Sequence, residues 1–236
     1  STSDDARTSP AVITAGGDHL PDGVSMIVPL STGSAPIGII SAFGSIWVAS
    51  HRSPLLYRID PHTGKITTQI DLTQNGSATA NSLYACGPLV ATAAAVWVHA
   101  CAAGGVTAVD PTDNRVTGHL DAGGVLHSDA DTWACTSDNK NLIKVDPATL
   151  QELTRIGVPC GLQGFVDAGR ALIPDVDHDL TFNGTVRQID LATGQEVQTW
   201  RITPSGSGTF AAYAEGMLWL MSNTEAVMNY LDTRDG

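Results

Sequence analysis

Basic residues are scarce in this sequence, 12 Lys and Arg against 24 Asp and Glu, and the formal net charge is −12. Nucleic-acid binding needs clusters of Lys and Arg that displace counterions from phosphates, and no such run occurs. A nucleic-acid partner is therefore not expected, and neither is docking on an anionic membrane surface. Long apolar runs are missing as well. None approaches the ~20 residues a membrane-spanning helix requires, so membrane insertion is not expected. No Gly-x-Ser-x-Gly elbow, phosphate loop or dinucleotide fingerprint is present, which removes the familiar hydrolase and nucleotide-binding signatures. Charged residues of both signs make up only 15% of the chain. An ordinary globular domain carries roughly 25%, so long charged surface helices are disfavoured. The acidity itself reads first as solubility, and second as capacity for a cation or cationic ligand.

What takes the place of charge is Gly, Thr, Ser, Asn and Ala, a mix suited to short strands joined by tight turns. Hydrophobic residues reach 42%, enough for a sizeable core in 236 residues. The first ten residues, Ser1 to Pro10, are polar and fit the flexible lead of a mature chain from which a secretion signal was removed. Residues 1–20 are expected to be such a leader, and 21–236 one domain.

The domain is repetitive. Each unit reads as an apolar stretch, a Gly-containing turn, aliphatic-Trp-aliphatic, a polar gap, aliphatic-Asp with turn residues, and a second alternating strand. The best copy runs Gly44-Ser-Ile-Trp47-Val-Ala-Ser50, then Leu56-Tyr-Arg-Ile-Asp60-Pro-His-Thr-Gly64. Further copies centre on Trp97 and Asp110, Trp133 and Asp146, Leu172 and Asp190, and Trp219 and Asp232. The first, second, third and fifth copies keep 13 residues from Trp to Asp, while the fourth has 18, with the insertion placed within 175–184. Successive Asp residues are 50, 36, 44 and 42 apart, the size of a four-stranded propeller blade. The fold expected is all-β, a β-propeller of five four-stranded blades. Val24–Leu30 is expected to supply the fourth strand of the last blade and close the ring. The competing reading is a larger propeller cut at Gly236. The repeated Asp residues read as turn formers, because Asp accepts nearby backbone N–H groups while Pro and Gly set the flanking φ angles.

The pattern Ile-Trp-Val-Ala-Ser followed by Tyr-Arg-Ile-Asp-Pro-x-Thr-Gly-Lys resembles the bacterial YVTN and streptogramin-lyase-like propellers. The resemblance spans about Val24 to Gly236 and implies the fold. It implies no single activity, since those families include lyases, lactone hydrolases and binding proteins. The lyase repeat ends in a Glu that residues 43–50 lack, so no catalytic residue carries over.

Four cysteines, Cys86, Cys101, Cys135 and Cys160, match no metal-binding spacing and suit two disulfides, hence an oxidising, extracytoplasmic setting. The expected pairs are 86–101 and 135–160, although four cysteines allow three connectivities. His51, His99, Asp175, Asp177 and His178 are expected at one end of the ring, and Asp179 lies in the same run. Imidazole with carboxylate can hold one divalent ion, Zn or Ca. His62, His119 and His127 are given no role. Two functions follow. The first is a secreted, non-catalytic propeller that binds a small molecule, a glycan or a protein. The second is a metal-dependent lyase or lactone hydrolase with its site at one end of the central funnel.

Overall fold

The computed structural model describes residues 27–31, 33–73, 85, 87, 89–100, 105–128, 131–176, 181–203, 209–222 and 227–234. Within them the regular structure is all β, arranged as a five-bladed propeller. Blade one holds β1 (Pro36–Ala42), β2 (Ser45–Ser50), β3 (Leu55–Ile59) and β4 (Ile66–Asp71). Blade two holds β5 (Val90–Ala91), β6 (Val96–His99), β7 (Val106–Asp110) and β8 (Arg115–Leu120). In blade three are β9 (Ala122–Leu126), β10 (Thr132–Thr136), β11 (Leu142–Val145) and β12 (Glu152–Ile156). Blade four comprises β13 (Phe165–Asp167), β14 (Arg170–Val176), β15 (Phe182–Asp190) and β16 (Glu196–Arg201). Blade five comprises β17 (Thr209–Ala214), β18 (Met217–Ser222) and β19 (Val227–Asp232). Each sheet is an antiparallel meander in sequence order.

The constant Trp-to-Asp spacing has a simple origin. Each Trp lies in the second strand opposite the residue two before the Asp: Trp47 pairs with Arg58, Trp97 with Ala108, Trp133 with Lys144 and Trp219 with Tyr230. In blade four Leu172 keeps the same partner position, Gln188, and the insertion lengthens the β14–β15 hairpin as far as the pair Val176 and Phe182. The Asp then ends the third strand and builds the turn. Asp60 Oδ1 accepts the N–H groups of His62 and Thr63, and Asp146 and Asp190 repeat this with Ala148 and Thr149, and with Ala192 and Thr193. Those bonds, made to the ionised form, hold the three carboxyls below their ordinary value. The repeated aspartates are structural, as their position in the motif suggested.

Strand alternation gives each blade two apolar faces. The Trp face of one blade packs on the aliphatic face of the next. Trp47, Leu56 and Ile70 meet Leu89, Val96 and Val109, and Trp97 meets Val125 and Ile143. Trp133 then meets Ala171 and Ile173, and Leu172 meets Leu218 and Leu220. Approach is closest where a side chain is missing. A Cβ on Gly124 of β9 would stand 2.4 Å from the Leu162 carbonyl oxygen, so glycine is what lets blades three and four touch there.

One detail differs from expectation. Among the described residues blade five has three strands, and 27–30 add no fourth to it. Val28 and Leu30 lie instead against Val48, Tyr57 and Ile59 of blade one. Three buried apolar side chains there offer this segment more contact than one edge ladder would. The domain boundary expected near residue 20 lies outside the described residues.

Candidate functional site

The connections between second and third strands share one end of the propeller, and His51, His99 and Asp175 fall there. His51 follows β2 and its Nδ1 is 2.8 Å from the Ala85 carbonyl oxygen of the next blade. His99 ends β6, and its ring is hydrogen-bonded to the backbone of Gly123 in blade three. Burial holds the His99 imidazole below its ordinary value despite that bond, so the ring is neutral at physiological pH. Asp175 of β14 faces Arg187, with Oδ2 3.7 Å from Nη2. Each of the three is thus already engaged with a neighbouring group. Among the described residues no three His, Cys, Asp or Glu side chains gather closely enough to hold a metal ion. Asp177 and His178 lie outside the described residues, as do Cys86 and Cys101. Cys135 and Cys160 form a disulfide that ties β10 to the segment leading into blade four. Both thiols are therefore unavailable as nucleophiles or ligands.

A cavity of about 260 Å³ lies on the propeller axis, lined from the innermost strand or inner segment of every blade. Its wall is apolar over Ile39, Leu89, Phe165 and Ala211, and polar atoms enter from His127, Gln163 and Tyr213. His127 is held by a two-bond bridge to blade four, its N–H donating to Gly164 and its carbonyl accepting from Val166. The ring meets Phe165 edge-on at 6.4 Å, and Phe165 in turn lies 5.8 Å from Tyr213. Gln163 is buried, and its Oε1 accepts the Ala211 N–H at 2.7 Å, joining blades four and five. The Tyr213 hydroxyl donates to Asp167 at 2.9 Å, and desolvation raises the phenol above its ordinary value. It therefore stays a neutral donor and acceptor.

This arrangement is built to hold a compact ligand with an apolar face and one or two hydrogen-bonding groups. It contains no paired acid and base. Reading by sequence gave His127 no role, because it falls near the hairpin at the opposite end from His51 and His99. The one available signal was Gln163, a lone amide between Leu162 and Phe165 in a segment that otherwise reads as buried.

No protein-family model matches the chain, and no curated protein matches it in sequence. Its fold is similar to solved β-propeller proteins. The structure of BamB from Moraxella catarrhalis aligns with a TM-score of 0.55 and 12% identity, over 83% of this chain and 57% of that one. U3-55K aligns at 0.56 and 10%, over 86% and 66%. The computationally designed Ika8 protein aligns at 0.55 and 14%, over 84% and 58%. The chain thus spans less than two thirds of the length of each of these propellers, and at such identity the likeness concerns fold alone.

Proposed function

We propose that this chain is a non-catalytic, extracytoplasmic binding propeller that takes a small molecule, or a small group projecting from a glycan or protein, into its axial cavity. The observation that carries this reading is the cavity itself. Every blade contributes to its wall, and its polar atoms come from side chains fixed between blades. A site of this kind is preorganised, which lowers the ordering cost of binding. The Cys135–Cys160 disulfide supports an oxidising compartment.

A thermal-shift screen of small ring compounds and monosaccharides tests it. A saturable rise in melting temperature is expected for at least one class, and replacing Ala211 with Phe, which fills the cavity, is expected to abolish it. Hits that bind the filled variant equally well would place the site elsewhere, and a screen with no saturable hit would exclude the axial cavity.

The second reading is a metal-dependent lyase or lactone hydrolase. It draws on His51, His99 and Asp175 lying at one end of the propeller, where an ion would polarise a carbonyl or activate water. Elemental analysis of chelator-free protein, with melting before and after EDTA, decides it. One bound equivalent with a melting shift supports the metal site, and no metal with no shift removes it.

A further inference from the structure

Blades one and three share a pairing found in none of the other three blades, a Trp of the second strand opposite a basic residue of the third. Trp47 pairs with Arg58, and Trp133 pairs with Lys144. The remaining copies set Trp97 against Ala108, Leu172 against Gln188 and Trp219 against Tyr230.

In blade one the basic side chain fills the gap to the next blade. The Arg58 guanidinium lies 5.0 Å from the centre of the Trp47 ring, and its Nη1 donates to the Pro111 carbonyl at 2.6 Å and to Asn114 Oδ1 at 2.7 Å. Its Nε donates to Ser45 Oγ at 2.9 Å, two residues before the Trp. Blade three is built differently. Asp131 stands where Ser45 stands, and it draws the Lys144 ammonium back onto its own blade, with Nζ 2.9 Å from Oδ2. The gap toward blade four is left as an open slot of about 470 Å³, with room for a whole arginine side chain.

The walls of this slot repeat those around Arg58. Trp133 and Lys144 line one side, and Leu191, the repeat of Pro111, lines the other. Gly194 stands in place of Asn114 and brings no side-chain acceptor. Carboxylates supply acceptors instead, since Asp131 and Asp167 line the slot against the single ammonium of Lys144. Asp167 takes the Tyr213 hydroxyl on Oδ2, which fixes its position at the mouth of blade four. The slot thus has one negative charge in excess and an indole in its wall. A guanidinium suits both, because it is planar, weakly hydrated, able to fork onto a carboxylate and attracted to an aromatic ring.

We propose that the slot between blades three and four binds a guanidinium group, supplied by an arginine side chain of a partner protein or by a free guanidino compound. The bound group takes in blade three the place that Arg58 takes in blade one. The molecule therefore has one such slot filled from within and a second open to another molecule. The slot shares no lining residue with the axial cavity, so it is a separate site. The formal charge of −12 favours the approach of a cation.

Titration calorimetry of the 236-residue chain with arginine amide and with butylamine tests this. The variants are Asp131→Ser and the double variant Asp131→Ser with Lys144→Arg, which copies Ser45 and Arg58. Arginine amide is expected to bind saturably at millimolar concentration. Butylamine, which has no fork, is expected to bind at least about tenfold more weakly, the worth of one charge-assisted hydrogen bond. Asp131→Ser is expected to weaken arginine amide by at least about the same factor. The double variant is expected to fill its own slot, to lose binding altogether and to melt no lower than the parent. No saturable binding by the parent overturns the proposal, and so does binding that the double variant retains. Binding lost in Ala211→Phe would put the ligand in the axial cavity and overturn it equally. A capped peptide with one central Arg that binds more tightly than arginine amide assigns the group to a partner's side chain. The reverse order assigns it to a free guanidino compound, and either order upholds the slot.

Discussion

His99 and Cys135 occupy the same position in consecutive repeats, two residues after the tryptophan, and each crosses to the blade that follows. The histidine reaches the Gly123 backbone, and the cysteine reaches Cys160. One position thus serves as a clasp between blades by two different chemistries.

The histidine clasp is sensitive to acid. Because the folded-state value lies below the ordinary 6.5, the unfolded chain takes up the proton first as pH falls. Its contribution is complete above about 6.5, falls as pH drops through that region, and levels off below the folded value. Urea midpoints measured between pH 8 and pH 5 are expected to decline for the parent, and to decline less for His99→Gln. A second loss is expected below 3.8, where Asp60, Asp146 and Asp190 give up the turn bonds that lower them.

The cysteine clasp closes a loop of 25 residues. Chain-entropy reasoning assigns such a crosslink about 3 kcal/mol. Cys135→Ser and Cys160→Ser are each expected to lose roughly that amount in chemical denaturation. The double variant should lose no more than either single one. A double loss near twice the single would mean that the two residues act separately.

Arg58 joins blades one and two. Its Nη1 donates to the Pro111 carbonyl at 2.6 Å and to Asn114 Oδ1 at 2.7 Å, while Nε donates to Ser45 Oγ at 2.9 Å. The guanidinium also lies 5.0 Å from the centre of the Trp47 ring. A lysine ammonium cannot reproduce that fork, so Arg58→Lys is expected to destabilise by about 1–3 kcal/mol, nearly as much as Arg58→Met. Equilibrium unfolding of both variants, with Asn114→Ala in a double-mutant cycle, measures the inter-blade share.

Two equivalent tryptophans differ in one bond. Trp97 Nε1 donates to Thr92 Oγ1 at 3.1 Å, whereas Trp133 Nε1 is buried with no partner. An unpaired buried donor carries a desolvation cost that phenylalanine removes. Trp97→Phe is therefore expected to cost about 1 kcal/mol more than Trp133→Phe, although both shrink a buried ring. Thr92→Val should erase most of that difference.

The blades were legible because their marks are local. Trp-to-Asp spacing reflects hairpin register, and Asp60 and its repeats bond only to the turns beside them, so a linear reading finds both. The 135–160 bridge was legible from neighbouring repeats. The axial cavity was not, because His127, Phe165 and Tyr213 belong to three different blades and meet only through the arrangement of the whole. Nor was the contrast between Trp47 and Trp219. Their local sequences match, yet Trp47 is buried against blade two whereas Trp219 is 37% exposed.

The sheets meander in sequence order, and among the described residues the apolar clusters between blades join consecutive sheets. No rung of this structure has to wait for a distant one. Contacts of that kind keep loop-closure entropy small and let order spread from any unit to its neighbour. A chain leaving the ribosome could therefore lay down each blade on the face of the last, the growing front being an uncovered tryptophan in every blade but the fourth, where it is Leu172.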